Sequence, residues 1–218
     1  MALLSERSTL LWAGLWAFLA FAGTFVTIWT RNTFQIHLLR AQPATMYLHV
    51  GGHSDAARLT TALRGALEET ATPLQGAAAP TGQDRIEGLD TAAFARALGR
   101  EGRVAGGVYG VSVPRAEPVR EGGMEVPTAM GSATAINLQA AGNRKGAITG
   151  DFVLTAEEVV PVQRALMENG IEVTAIHNHM LNDQPRIFFM LFWGLDDPEK
   201  LGRGLRAALD RTNSRRAG

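Results

Sequence analysis

The sequence predicts an α+β fold: an N-terminal transmembrane helix, then a mixed or antiparallel sheet with packed helices, in which one β-β-α unit is duplicated. Three observations carry this. Residues 10–30 form an uncharged run bracketed by Arg7 and Arg31. Residues 35–70 match residues 177–212 without a gap, an internal repeat that must be found before any fold is assigned. The intervening chain alternates short apolar runs, glycine-rich turns and stretches of helical periodicity.

The run at 10–30 holds Trp12, Trp16 and Trp29. At about 1.5 Å per residue, a helix of this length crosses a hydrocarbon core of roughly 30 Å. Ala20, Phe21 and Ala22 offer a small-x-small cleavage site, so secretion after signal-peptide removal is the alternative. Apolar character continues through Phe25, Val26, Ile28 and Trp29, past that site, which favours an anchor. Arginines on both sides leave orientation open by charge counting.

The repeat pairs His37 with His179, Gln42 with Gln184, Pro43 with Pro185, Gly52 with Gly194, Asp55 with Asp197, and Leu59, Leu63 and Leu67 with Leu201, Leu205 and Leu209. Each copy reads as strand, polar turn ending in Pro, strand and helix. The first copy has strands at 34–39 and 44–50; the second has strands at 171–180 and 186–193. Asp197 stands at an N-cap, with Pro198 at the first helical position. The second copy alone is preceded by further structure. A short helix at 91–98 begins at Asp90 and stops at Gly99. Strands are expected at 104–113, 125–128, 133–140 and 147–154. Thr155 and Glu158 form a capping box opening a helix to Glu168, closed by Gly170. The organisation is therefore a membrane segment (1–31), a truncated first repeat (32–70), a linker (71–84), a complete module (85–213) and a frayed tail (214–218).

Residues Gly150-Asp151-Phe152-Val153-Leu154, Ile176-His177-Asn178-His179-Met180, Pro185-Arg186-Ile187-Phe188-Phe189-Met190 and Phe192-Trp193-Gly194 resemble the LppY/LpqO family of bacterial exported proteins and lipoproteins. The resemblance covers about residues 100–213 and implies two tandem modules, of which the first is truncated here. It also implies a His before the Phe-Trp pair, where this chain has Leu191; the corresponding residue of the first copy is His49. It implies no activity.

Composition narrows the chemistry. In 218 residues, 21 Lys and Arg balance 21 Asp and Glu, which removes the basic excess that nucleic acid requires. With no Cys, disulfides, thiolate metal sites and Cys nucleophiles are excluded. All five His (37, 49, 53, 177 and 179) fall inside the two repeats. His177 and His179, two apart on a strand, leave the same face and would be two ligands of a divalent metal such as Zn. His37 would add a third if the copies pack about a pseudo-twofold axis. A hairpin turn at 181–184 would pair His177 with Phe188, leaving residue 191 on the other face. Asp151 would be a ligand or the carboxylate that fixes an imidazole tautomer. Arg115 and Arg186 each follow a Pro and would clamp a small anionic or cell-envelope ligand. Met180 and Met190 sit among Phe residues and read as core filler rather than copper ligands. The glycine-rich stretches lack nucleotide-binding context, and there is no Gly-x-Ser-x-Gly elbow. The functional expectation is a membrane-tethered extracytoplasmic binding module, its soluble part facing the periplasm of a bacterium. The alternatives are a metal-dependent envelope hydrolase using the same His pair, and a structural or interaction module.

Overall fold

A computed structural model describes residues 27–35, 47–71, 74 and 86–216. It separates into two compact units, Met1–Thr33 with Leu48–Ala79, and Phe34–Tyr47 with Pro80–Gly218.

The N-terminal part holds β1 (Thr27–Gln35) and β2 (Tyr47–His53), paired in a two-stranded sheet, and helix α1 (Ala56–Glu68). This corrects two expectations. Residues 27–30, assigned above to the end of a membrane helix, lie in a strand, as their Thr, Ile and Trp side chains favour. The strands expected at 34–39 and 44–50 are shifted. The body of the predicted span, 10–26, lies outside the described residues, among which no helix is long and apolar enough to cross a membrane. Helix α1 is capped as its sequence requires, with the Asp55 carboxylate accepting from the Arg58 N–H at 3.0 Å.

The larger unit is built on an antiparallel six-stranded sheet in the order β3-β4-β7-β8-β11-β9. Its strands are β3 (Arg103–Ala105), β4 (Val108–Pro114), β7 (Ala133–Ala140), β8 (Gly146–Leu154), β9 (Glu172–His177) and β11 (Phe188–Asp196). The single strand expected at 104–113 is two, because Gly106 and Gly107 both take positive φ and turn the chain between them. A second, three-stranded sheet joins β5 (Arg120–Glu121), β6 (Met124–Glu125) and β10 (Asp183–Gln184).

Three helices cover one face of the large sheet: α2 (Thr91–Leu98), α3 (Ala156–Glu168) and α4 (Pro198–Leu209). Each end carries the expected signal. Asp90 and Asp197 accept from Ala93 N and Lys200 N, and Gly99 closes α2 at φ 71°. The Thr155/Glu158 capping box opens α3, and Gly170 follows it at φ 72°. Phe94, Leu98, Leu166, Leu201 and Leu205 meet Tyr109, Ile136, Ile148, Phe152 and Phe192 in one buried cluster. Helices α2 and α4 approach so closely that a Cβ on Gly202 would lie 2.8 Å from the Phe94 carbonyl oxygen.

One buried ion network ties three distant segments. Arg115, its side chain 3% exposed, follows β4 and lies against Glu158 in the first turn of α3. Its Nη1 donates to Glu158 Oε2 at 2.6 Å and to the Val153 carbonyl at 2.7 Å; its Nε donates to Glu117 at 2.8 Å. Glu158 also accepts from the backbone N–H groups of Thr155 and Asn213. Asn213 is thereby held, and Arg215 N donates to the Pro114 carbonyl at 2.8 Å; the last two residues of the tail expected to fray, 217–218, lie outside the described residues. Burial alone would raise the Glu158 carboxyl, but Arg115 and the two backbone donors bring it below its ordinary value. A depressed carboxyl gives stability above its unfolded pKa that is lost as pH falls through the folded one.

Removing Glu158 leaves the buried guanidinium with only the more exposed Glu117 as its carboxylate partner. Glu158→Ala is expected to cost about 3–5 kcal/mol in urea unfolding at neutral pH, and Glu117→Ala, at the more exposed carboxylate, clearly less. A Glu158→Ala loss below about 1 kcal/mol, the range of exposed pairs, would remove the network from this role.

Candidate functional site

Strand alternation assigns the two faces. Along β11, Met190 and Phe192 enter the helix-covered core, while Phe189 and Leu191 point to the opposite side, into a smaller cluster with Val119, Val153 and Ile187. Cross-strand partners share a face, so the register gives the rest. Leu191 pairs with Asp151 and Ala175, and Asp151 pairs in turn with Ala135. The next row along holds Asn137, Thr149, Trp193 and Glu172. The helix-free face therefore carries Ser112, Asn137, Thr149, Asp151, Glu172 and Trp193, of which all but exposed Ser112 are half-buried.

His177 ends β9 opposite Phe189, not Phe188 as expected. The slip of one residue brings position 191 onto the His177 face, reversing the sequence expectation. The cause is the long loop at 178–187. Asp183, buried among its neighbours, accepts from Ile187 N at 2.6 Å and from Arg186 Nη1 at 3.0 Å, and the Asn178 amide donates to the Ile187 carbonyl. The loop also contributes β10 to the small sheet. The strand expected to run through Met180 accordingly stops at His177, and His179 lies just beyond it.

The two imidazoles still come together. Their ring centroids are 4.8 Å apart and the planes 27° from parallel; His179 stacks on Phe189 at 3.6 Å and 9°. Imidazole lone pairs lie in the ring plane, so near-parallel rings hold them apart, and a metal shared by both would require one ring to turn. Among the described residues no group of three or more His, Asp or Glu side chains is placed to hold a metal ion. His37, the expected third ligand, lies outside the described residues.

Asp151 shares the His177 face but not its immediate surroundings, since Phe189 and Leu191 of β11 intervene. Burial raises its carboxyl from 3.8 to about 6, against the pull of the backbone N–H groups of Ala135 and Asp151 itself. The two arginines differ in setting. Every described contact of Arg115 is within the chain, and its guanidinium is enclosed. The Arg186 side chain, 48% exposed, donates to the Leu181 carbonyl and Asp183, bracing the loop. Trp193, Thr149 and Asn137 were not singled out from the sequence; alternation along 186–193 would have put Trp193 on the face of Phe189.

The family model for a domain of unknown function, DUF1259, matches residues 92–211. The chain belongs to this family. No curated protein and no solved structure matches the chain. The match takes in α2 to α4, so both faces of the large sheet belong to the DUF1259 domain, while β1, β2 and α1 lie outside it.

The raised Asp151 carboxyl has a signed consequence. Its protonated form is favoured by folding, so the stability it contributes is full below pH 3.8 and is lost as pH rises through about 6. Asp151→Asn is expected to match the parent at pH 4 and to exceed it by about 1–3 kcal/mol at pH 8 in chemical denaturation. Equal stability at both pH values would place Asp151 in an ordinary solvated setting.

Proposed function

We propose that this DUF1259 protein is a membrane-tethered, extracytoplasmic binding module of the LppY/LpqO type. Its helix-free sheet face takes a neutral, hydroxyl-rich ligand of the cell envelope. The observation that carries the reading is the register, which aligns Asn137, Thr149, Trp193 and Glu172 in one row beside Asp151. An indole offers a flat apolar surface with a polar N–H edge, and amide, hydroxyl and carboxyl groups around it suit a ligand rich in hydroxyls. The rows named contain no Lys or Arg, so a free anion would meet Asp151 and Glu172 without compensation. His177 and His179, stacked with each other and on buried Phe189, stand at one end of the face. Rigid, stacked rings are pre-ordered and lose little freedom on binding.

Saturation-transfer NMR of the full chain in detergent solution with soluble cell-envelope oligosaccharides is expected to detect binding. Trp193→Ala should weaken it about tenfold or more, the loss of one aromatic anchor. Undiminished binding by Trp193→Ala, or no binding of any fragment, would remove the ligand from this face.

Tethering outside the cytoplasm has its own test, made clean by the absence of cysteine. Met124, 61% exposed on β6, can be replaced in Met124→Cys. In intact bacterial cells whose outer layer is permeabilised, a membrane-impermeant maleimide is expected to label this variant as fully as in lysed cells. Labelling only after lysis would place the module in the cytoplasm.

A further inference from the structure

Arg115 and Arg186, expected to clamp an anion, donate to groups of the chain itself, and three other arginines line one cavity. A cavity of about 570 Å³ opens at the C-terminal ends of α2 and α4, walled by the pinned tail and lined by Arg100, Arg206, Asp210, Thr212, Ser214 and Arg216. Its volume lies in the range of small-molecule sites. Three arginines and one aspartate line it, in a chain of zero net charge.

The side chains are placed by the scaffold. Arg100 follows the left-handed Gly99 that ends α2, and its Nη2 donates to the Arg215 carbonyl at 2.5 Å. Arg206 lies across Gly99, where a Cβ would collide with its guanidinium, and its Nε donates to Asp210 at 2.8 Å. The Thr212 and Ser214 hydroxyls are 2.6 Å apart, and Thr212 also donates to the Leu209 carbonyl, so they are largely spent on the chain itself. Asn213 N on Glu158 and Arg215 N on Pro114 keep the tail in position, carrying Arg216 to the cavity. Capping of helix C-termini accounts for one or two cations by the dipole alone. It does not call for a third guanidinium on a cavity whose single carboxylate is already bridged by Arg206.

We propose that this cavity is a binding site for a phosphate group, held by the guanidinium groups of Arg100, Arg206 and Arg216. A planar guanidinium donates in a fork that matches two phosphate oxygens. The site is independent of the hydroxyl-rich ligand proposed for the helix-free face, since none of its residues lies in the rows that build that face. The phosphate belongs either to a small free metabolite or to a lipid headgroup, which present the same oxygens.

Phosphorus NMR titration of the full chain with inorganic phosphate and with glycerol phosphate, a soluble headgroup, separates these sources. At least one is expected to bind, weakening with added salt. Arg206→Gln with Arg216→Gln should weaken binding tenfold or more, and Arg206→Lys with Arg216→Lys only partly. Preference for inorganic phosphate assigns a free ligand; preference for glycerol phosphate assigns a headgroup. Should the double Gln variant unfold, Arg216→Gln alone, on the exposed tail, serves in its place. No binding of either compound, or equal binding by parent and Gln variants that keep the parental amide spectrum, overturns the assignment. Trp193→Ala is expected to leave phosphate binding unchanged, so the two sites fail separately.

Discussion

Strand β11 is apolar on both faces, and that constraint organises the larger unit. Met190 and Phe192 require cover on one side, Phe189 and Leu191 on the other. Helices α3 and α4 supply the first cover. The second is thinner: Val119 and Ile187, with Val126 and Met180 beside them, come from the segments that also form the small β10-β5-β6 sheet. Because this second cover reaches only part of the face, Asp151, Thr149 and Trp193 stay half-buried beyond it. A carboxyl is thus desolvated without being sealed, which is the condition for a shifted yet accessible group.

The helices were legible because their signals are local. Asp90 and Gly99, Thr155 and Glu158, and Asp197 with Pro198 each lie within a few residues of the end they define; the carboxylates of Asp90, Glu158 and Asp197 accept from backbone N–H groups there, and Pro198 stands where no N–H is needed. The face assignment of residue 191 was not legible, since it turned on one residue of register. Asp183 reaching Ile187 N lengthens the loop before β11, and nothing in the spacing of apolar residues announces that bond. The partners of Arg115 were hidden in a similar way. Its sequence neighbour Pro114 suggests an extended entry, but its role is set by Glu158, which is far along the chain and explained locally by its capping box alone.

The repeat was visible as sequence and recurs as element order: β1, β2 and α1 stand at the same offset as β9, β11 and α4. The two helices share Leu at three matched positions, yet differ where α4 is tightest. Gly202, against the Phe94 carbonyl, corresponds to Thr60, and Gly204, against Asn169 and Ile171, corresponds to Ala62. Thr60 in the place of Gly202 would drive its Cβ and branched side chain into α2. The leucines preserve a common apolar stripe, while the glycines fit only α4 to its neighbours.

Neutral net charge is a sum over separated regions. Acidic Asp151 and Glu172 lie on the helix-free face, and Arg100, Arg206 and Arg216 gather at the C-terminal ends of α2 and α4. At physiological ionic strength a charge is screened within about 8 Å, so regions separated by more than that act on their own surroundings and not through the total. Composition can exclude a chain-wide attraction to polyanions and still be silent about a local one. The fold makes this division possible: the tail that carries Arg216 is fixed through the Arg115–Glu158 pair, so a buried charge network positions an exposed one. A pair that adds little net stability over apolar residues would then be retained for where it puts the chain.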